Sequence, residues 1–231
     1  MKLLTVIIPV YNESKTITKI LNKVIKIKIS KQIILVDDCS TDNSKKKILN
    51  LKSKINKIIF HKKNLGKGAA IKSAQKFVKG SYVIIQDADL EYDPKDYFKI
   101  INVLKKKQFK VVYGSRVIGK KRYFLTNFTS IIRVFFNHLL TILSNILNNQ
   151  NLTDAHTCYK AFDTKIFKKI KLEENGFAFC PEITTKIGNL NIDICEVPIN
   201  YSGRDYKEGK KITYLDGLDA IYSLIKYKFF K

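Results

Sequence analysis

Residues 83–94 have the sequence VIIQDADLEYDP, in which acidic side chains follow a short apolar stretch. They gather there although the formal net charge of the chain is +23. If a strand continues through Asp87 and Asp89, the i, i+2 spacing places both carboxylates on one side of it. Such oxygen ligands suit a hard divalent cation, Mg²⁺ or Mn²⁺, with Glu91 as a third ligand. The alternative is a solubilising turn in which Asp93–Pro94 leads into a helix.

The arginines are the other candidates for chemistry. They are Arg116, Arg122, Arg133 and Arg204, among 43 basic residues. A guanidinium fork can bind a phosphate through paired hydrogen bonds, which a lysine cannot do. The lysines are spread along the whole chain, which is typical of solvated helix faces. A membrane or nucleic-acid patch is the alternative for some of them, although a nucleic-acid site usually favours arginine, so no nucleic-acid partner is expected.

Several classes of protein are disfavoured by composition. The four cysteines have no C-x-x-C spacing, so a zinc site or a disulfide framework is not expected, and a reducing cytoplasm fits best. The first residues become polar too soon for a signal peptide, and no apolar run reaches the roughly 18 residues of a membrane span. The expectation is a cytoplasmic protein, either soluble or peripheral on the inner face of the membrane.

Five short runs rich in Val and Ile predict the strands that position the candidate residues. They span residues 4–8, 32–36, 57–61, 82–86 and 110–114. Near-continuous apolar strands are typical of parallel sheets, and the stretches between them have helical periodicity. The sequence therefore predicts an α/β fold with a mostly parallel sheet flanked by helices. Polar residues follow every predicted strand, at the edge where such sheets bind ligands.

The pattern changes after residue 116. Residues 127–149 predict one or two amphipathic helices, and a mixed region follows them. The C-terminal run LDGLDAIYSLIKYKFFK combines aromatic, aliphatic and lysine residues. It predicts a helix that either packs on the domain or lies on an anionic membrane surface.

Eight segments occur in a characteristic order from about residue 4 to the C-terminus. They are VIIPVYNE, ILVDDCSTDNS, NLGKGAAIKSA, IIQDADLEYDP, VVYGSR, LTDAHTCYKAF, FAFCPEITTKI and EVPINYSGRDYKEGKKITYLDGLDAI. In this order they resemble the family 2 glycosyltransferases, which have the Rossmann-like GT-A fold. Within that family they resemble the polyprenyl-phosphate sugar synthases, the group of dolichyl-phosphate mannose synthase. The resemblance implies one domain over 1–231, with a nucleotide-sugar-binding half at 1–116 and an acceptor-side half with amphipathic helices at 117–231.

The resemblance also implies roles for individual residues. The nucleotide-sugar would contact Pro9, Tyr11, Glu13, Asp37, Lys67 and Asp87. The metal would be held by Asp87, Asp89 and Glu91. The catalytic group would comprise Asp89, Arg116, Arg204 and Asp154. The acceptor phosphate would be held by Arg116, Arg133 and Arg204. For Arg133 a surface ion pair is the alternative.

The implied reaction is a metal-dependent, inverting transfer of one sugar from a nucleoside-diphosphate donor to a polyprenyl phosphate. The chain has no tryptophan, so the Q-x-x-R-W signature of processive synthases is absent from the sequence. One alternative is the same donor chemistry onto a saccharide or lipid hydroxyl, which requires a base such as Asp154 or Glu182. His156 stands where an acid is expected, and no role is assigned to it. A remote alternative, suggested by charge alone, is a non-catalytic binder of anionic membranes or nucleic acid.

Overall fold

The computed structural model describes residues 2–119, 128–204 and 214–230. The side chains of residues 128–133 and 214–215 lie outside this description. The predicted phosphate ligand Arg133 therefore has a described backbone but no described side chain.

Strands and helices alternate along the described chain. The strands are β1 Leu4–Val10, β2 Lys31–Asp37, β3 Lys57–Phe60, β4 Tyr82–Ile85, β5 Val111–Ser115, β6 Lys160–Asp163 and β7 Ile194–Pro198. The helices are α1 Ile17–Lys26, α2 Ser44–Asn50, α3 Lys67–Gln75, α4 Tyr97–Lys105, α5 Phe128–Asn148, α6 Thr164–Lys169, α7 Phe179–Asn189 and α8 Tyr214–Phe229. All five predicted strands are confirmed, and the predicted amphipathic stretch is the single helix α5.

The strands form one sheet with the order β3-β2-β1-β4-β6-β5-β7. Every described pair is parallel except the two made by β6, which runs antiparallel to both β4 and β5. The carboxyl ends of the parallel strands therefore meet the amino end of β6 at one edge of the sheet. Because β6 and β7 come from the second half of the chain, both halves supply side chains to that edge.

The core explains why the first strands were readable from the sequence. Leu4, Val6, Ile7 and Ile8 in β1 have no exposed surface, because helices cover both faces of the sheet. The flanking helices bury only one stripe, as in α1, where the buried residues recur at helical spacing. The spacing of apolar residues in the sequence of these elements thus matches the spacing of their buried residues.

Strand β6 is not predicted from the sequence because it is short and begins with a lysine. Lys160 is fully buried, and its Nζ donates a hydrogen bond to the carbonyl oxygen of Ala155 at 2.6 Å. The same ammonium lies 3.8 Å from the ring centroid of Tyr113. Burial lowers the pKa of Lys160 to about 8. The expectation that lysines mark solvated faces is wrong at this position, because an internal carbonyl and an aromatic ring replace water around the amine.

Candidate active site

The site lies at the edge where the parallel strands end. Glu13 follows β1, Asp37 ends β2, Asp87 follows β4 and Arg116 follows β5. The segment after β7 crosses this edge, since Tyr201 bridges to Tyr92 and the Ser202 N–H donates to the carbonyl of Glu91 at 2.9 Å. That crossing brings Arg204 from the far side of the sheet to the residues that follow β1 and β4.

We use the name acidic cluster for Glu13, Asp87, Asp89 and Glu91 together with the cations Lys67 and Arg204. Lys67 pairs with Asp87 at 2.5 Å between Nζ and Oδ1. Although burial opposes its charge, Asp87 raises the pKa of Lys67 well above its ordinary value. Lys67 is therefore a direct neighbour of the first aspartate after β4.

The loop that presents Lys67 is held by two other segments. Asp38 accepts the N–H groups of Leu65 and Gly66 at 2.9 and 2.7 Å, and it pairs with His61 at 2.6 Å. Gly66 has φ +98°, a conformation that favours glycine. A Cβ at Gly68 would overlap the carbonyl oxygen of Glu174. The glycines around Lys67 thus serve a positive φ and a close backbone approach, as this loop requires.

Arg204 contacts three of the four carboxylates of the acidic cluster. Its guanidinium donates to both oxygens of Glu13 at 3.1 and 3.2 Å and lies 3.4 Å from Oδ2 of Asp89. Its backbone N–H donates to Glu91 at 2.8 Å, and the hydroxyl of Tyr201 donates to the same carboxylate at 2.9 Å. Arg204, predicted as an acceptor-phosphate ligand, therefore lies among the carboxylates predicted to hold the nucleotide and the metal.

Asp89 is the least neutralised member of the cluster. Its Oδ1 accepts the N–H of Glu91 at 3.0 Å, and its nearest cation is the guanidinium of Arg204. Burial, followed by the charges of Asp87 and Glu91, raises the pKa of Asp89 to about 7. Four carboxylates face two cations here, so a further positive charge would be stabilised at Asp89.

The three predicted metal ligands do not converge on one point. Within the described ranges, no three His, Cys, Asp or Glu side chains form a group that could hold a metal ion. The carboxylate of Asp87 is taken by Lys67, and that of Glu91 by Tyr201 and Arg204. A cation at Asp89 would have to draw its remaining ligands from phosphate oxygens and water, which is usual for Mg²⁺.

The predicted base and ribose pocket lies beside the acidic cluster, between the ends of β1 and β2. Pro9 pairs with Val36 in the sheet, and Tyr11 follows two residues later, before Glu13. The carboxylate of Asp37 is almost fully buried, and its Oδ1 has no hydrogen-bond partner among the described residues. A buried acceptor without a donor favours a ligand that brings an N–H or O–H group.

Arg116 and Asp154 form a second charged feature, the Arg116–Asp154 pair. Nε and Nη2 of Arg116 donate to the two carboxylate oxygens at 2.7 Å each, and the backbone N–H adds a third bond at 3.0 Å. The guanidinium also lies 5.2 Å from the ring centroid of Tyr201. Although burial opposes the negative charge, Arg116 holds the pKa of Asp154 below its ordinary value. An acid held in this way is a weak proton acceptor.

The remaining predicted residues have different surroundings. Glu182 is fully buried and accepts the N–H groups of Glu173 and Glu174 at 2.6 and 3.0 Å and the ammonium of Lys186 at 2.8 Å. His156 is half-buried, and burial lowers its pKa to about 4. By binding the backbone of Glu173 and Glu174, Glu182 anchors the segment that packs on the loop around Lys67.

Sequence reasoning missed the aromatic residues that join the two features. Tyr92 and Tyr201 have ring centroids 5.2 Å apart, and Tyr201 contacts both Glu91 and Arg116. Tyr201 stands three residues before Arg204 in the segment NYSGR, so the signal was present in the sequence. Its contact with Tyr92 depends on the crossing after β7, which no local pattern predicts.

The model of the family described as "Glycosyl transferase family 2" matches residues 5–171 of the sequence. The chain belongs to glycosyl transferase family 2. The protein is thus a glycosyltransferase, as the resemblance implied.

Relatives and solved structures agree with this membership. A dolichyl-phosphate beta-glucosyltransferase of Trichomonas vaginalis is 28% identical over 98% of this chain and 73% of its own length. The one of Dictyostelium discoideum is 28% identical over 87% of this chain and 67% of its own length. These relatives confirm the predicted group within the family.

The fold is confirmed by a solved structure of low sequence identity. It is glucosyl-3-phosphoglycerate synthase from Mycobacterium tuberculosis in complex with Mn²⁺, uridine-diphosphate and glucosyl-3-phosphoglycerate. Its TM-score is 0.74 at 14% identity, covering 98% of this chain and 80% of that one. The likeness shows the GT-A fold for this family 2 glycosyltransferase.

Within the described residues, no helix has the length and apolarity that a membrane crossing requires.

Proposed function

We propose that this glycosyltransferase moves one sugar from a nucleoside-diphosphate donor to a polyprenyl phosphate, with inversion at the anomeric carbon and with Mg²⁺ or Mn²⁺. The observation that carries the proposal is that Asp154 and Glu182, the two carboxylates considered as bases, both already accept several hydrogen bonds from the protein. Asp154 is bound by Arg116, and Glu182 is bound by two backbone N–H groups and Lys186. A hydroxyl acceptor needs a free base, whereas a phosphate oxygen is already ionised near neutral pH.

The acidic cluster supports the donor half of the proposal. A bound Mg²⁺ or Mn²⁺ would neutralise the charge that develops on the leaving diphosphate, acting as a Lewis acid. Asp89 would hold the ion, with Asp87 beside it and the diphosphate oxygens as further ligands. Lys67 would place a second positive charge near the same diphosphate. Glu91 would orient Tyr201 and Arg204, because it already accepts hydrogen bonds from both.

The buried carboxylate of Asp37 supports binding of a nucleotide that donates a hydrogen bond at this position, either from an N–H group of its base or from a ribose hydroxyl. Uracil and guanine carry an imino N–H group, whereas the corresponding nitrogen of cytosine is an acceptor. Asp37 Oδ1 accepts no hydrogen bond in the described structure, so it can accept one from such a donor. Uridine and guanosine diphosphate sugars are therefore the first donors to test.

On the acceptor side, Arg116 would bind the lipid phosphate. Its guanidinium is oriented by Asp154 and lies against Tyr201, so little ordering is required when a phosphate binds. Arg204 would contribute after leaving Glu13, and Arg133 is a third proposed ligand. The names of the two dolichyl-phosphate beta-glucosyltransferases support a lipid carrier as acceptor.

The decisive experiment offers radiolabelled UDP-glucose and GDP-mannose with undecaprenyl phosphate, dolichyl phosphate and, as a matched control, unphosphorylated dolichol. Each reaction is run with MnCl₂ and with EDTA. We expect product only with a phosphorylated lipid and only with metal. Transfer to dolichol, with none to the lipid phosphates, would overturn the proposal and assign the hydroxyl alternative instead.

Two variants test the absence of a base. Asp154→Asn and Glu182→Gln are compared with the wild-type protein for transfer, donor affinity and thermal stability. A residual rate in both variants, once any loss of folded protein is corrected for, supports an acceptor that needs no deprotonation. Complete loss of transfer in a variant that still folds and binds donor identifies a base and contradicts the proposal.

A further inference from the structure

Large apolar side chains are exposed mainly on two helices. Of the 16 large hydrophobic residues that are exposed in the described structure, 11 lie on α5, on α8 or at the residue after α8. We call these the apolar face: Phe135, Phe136, Leu139, Ile142, Ile146, Leu218, Ile221, Tyr222, Ile225, Phe229 and Phe230. Ile146, Phe229 and Phe230 are exposed by 74%, 64% and 72%. Exposed apolar surface concentrated in this way marks an interaction site rather than ordinary scatter.

The exposed residues form one stripe on each helix. In α5 the stripe follows helical spacing from Phe135 through Leu139 and Ile142 to Ile146, and in α8 the same spacing runs from Leu218 to Phe229. The opposite sides of both helices are buried, as shown by Ser144 in α5 and Leu224 in α8. Each helix therefore has a buried side and an apolar exposed side, which is not the pattern of an ordinary surface helix.

Helix α7 orients both stripes outward. α5 and α8 pack against α7 and against each other. Asn148 of α5 donates to the hydroxyl of Thr185 at 3.2 Å, and Ser223 of α8 donates to the carbonyl of Ala178 at 3.3 Å. Because both helices bury the side that faces α7, both stripes face away from it. The two stripes thus belong to one surface.

Charge decides what can cover this surface. The formal net charge of the chain is +23, so two copies brought together would repel each other, whereas an anionic surface would attract the chain. The sequence of α5 contains no Asp or Glu, and α8 has Asp216 and Asp219 in its first half and Lys226 and Lys228 in its last turn. Phenylalanine, tyrosine and lysine together are the residues of helices that lie in a lipid interface.

We propose that the apolar face of α5 and α8 docks the protein on an anionic lipid bilayer, with both helices lying in the interface. The inference rests on the proposed function for its purpose, because a polyprenyl phosphate is held in a bilayer. Arg116 precedes α5 in the chain, Arg133 lies in α5 and Arg204 precedes α8, so each acceptor-phosphate candidate lies in a docking helix or before one in the sequence. Docking would hold the site beside the lipid acceptor.

The test is sedimentation of the full chain with vesicles of phosphatidylcholine alone and of phosphatidylcholine with one quarter phosphatidylglycerol. The face variants are Ile146→Glu and Phe229→Glu. The matched controls are Leu49→Glu and Phe98→Glu, whose parent residues are each 43% exposed on other helices. We expect the face variants to bind anionic vesicles at least about tenfold more weakly and the controls to bind like the wild-type protein. Melting temperatures establish that every variant is folded.

Equal loss of vesicle binding in the face variants and the controls would overturn the inference. Sedimentation equilibrium tests a second copy as the occupant of the apolar face. If the wild-type protein binds no vesicles and is a dimer, and the face variants are monomers, the inference is overturned in favour of a second copy. Binding that falls as NaCl is raised supports it, because salt screens the attraction to anionic lipid.

Transfer assays separate this inference from the proposed function. Face variants should use a water-soluble, short-chain prenyl phosphate at the wild-type rate and lose transfer only to acceptor embedded in vesicles. A wild-type protein that binds vesicles through this face but uses neither phosphate acceptor would contradict the proposed function and leave the docking face supported. Equal transfer to embedded acceptor by wild type and face variants would contradict the docking role.

Discussion

The acidic cluster and the Arg116–Asp154 pair are two charged regions at the same edge of the sheet, and their charges are balanced differently. In the cluster, four carboxylates face Lys67 and Arg204, and the pKa of Asp89 is raised to about 7. In the pair, one guanidinium meets one carboxylate in a bidentate contact. An excess of negative charge calls for a cation, whereas a balanced pair orients its members. The first region is therefore suited to bind a metal with a diphosphate, and the second to hold a group in place.

The largest expected effect breaks the acidic cluster at its least neutralised member. Asp89→Ala should lower metal-dependent transfer by at least about 10²-fold, as for removal of a key electrostatic group. It should not lower the melting temperature, because the removed acid repels Asp87 and Glu91. Transfer is measured at saturating MnCl₂, with the exposed Asp193→Asn as control. Near-wild-type transfer by Asp89→Ala would show that the metal assignment is wrong.

A smaller effect tests the pair. Arg116→Lys keeps the charge but not the planar fork, so it should cost about 2 kcal/mol in the transition state for transfer. Donor affinity, measured by calorimetry with UDP-glucose, should be unchanged because Arg116 lies outside the acidic cluster. If donor affinity falls as much as transfer does, the two regions are not separate in function.

The pocket beside the cluster gives a comparable or smaller effect on binding. Asp37→Asn should weaken binding of UDP or GDP by about 1–3 kcal/mol, the usual loss for a hydrogen bond to a charged group. Asp42→Asn is the control in the same loop, because Asp42 bonds the backbone of Ser14 and Ser44 instead. Unchanged affinity in Asp37→Asn, or equal loss in both variants, would place the base elsewhere.

The support beneath Lys67 can be tested sterically. Gly68→Ala should destabilise the fold by about 1–3 kcal/mol, because its Cβ would overlap the Glu174 carbonyl. Helix propensity alone predicts the opposite sign for this substitution. Gly176→Ala is the control, since nothing lies within 4 Å of its added Cβ. Denaturant unfolding measures both, and a stabilised Gly68→Ala would show that the Lys67 loop is not held by this segment.

A further test of the acidic cluster is a pH dependence of stability in EDTA. The pKa of Asp89 is raised from 3.8 to about 7, so the folded protein keeps a proton that the unfolded chain releases. Its contribution to the free energy of unfolding therefore falls as the pH rises from about 4 to about 7. Asp89→Asn should become progressively more stable relative to the wild-type protein over this range. A constant difference would contradict the excess negative charge of the acidic cluster.

Much of the fold could be predicted because its signals are local. The strands β1 to β5 are short apolar runs, and each is followed within a few residues by the side chains it presents, such as Asp37, Asp87 and Arg116. A parallel sheet brings the carboxyl ends of its strands to one edge whatever their order. Strand position alone was therefore enough to predict that these residues share a site.

Which of them touch each other was decided by tertiary structure. The sequence does not show that β6 inserts antiparallel between β4 and β5, because the buried Lys160 hides the strand and its partners are distant in the chain. That insertion brings Asp154 to Arg116, and the crossing after β7 brings Arg204 to Glu13. Ion pairs between residues far apart in sequence depend on the path of the whole chain, and local periodicity carries no record of that path.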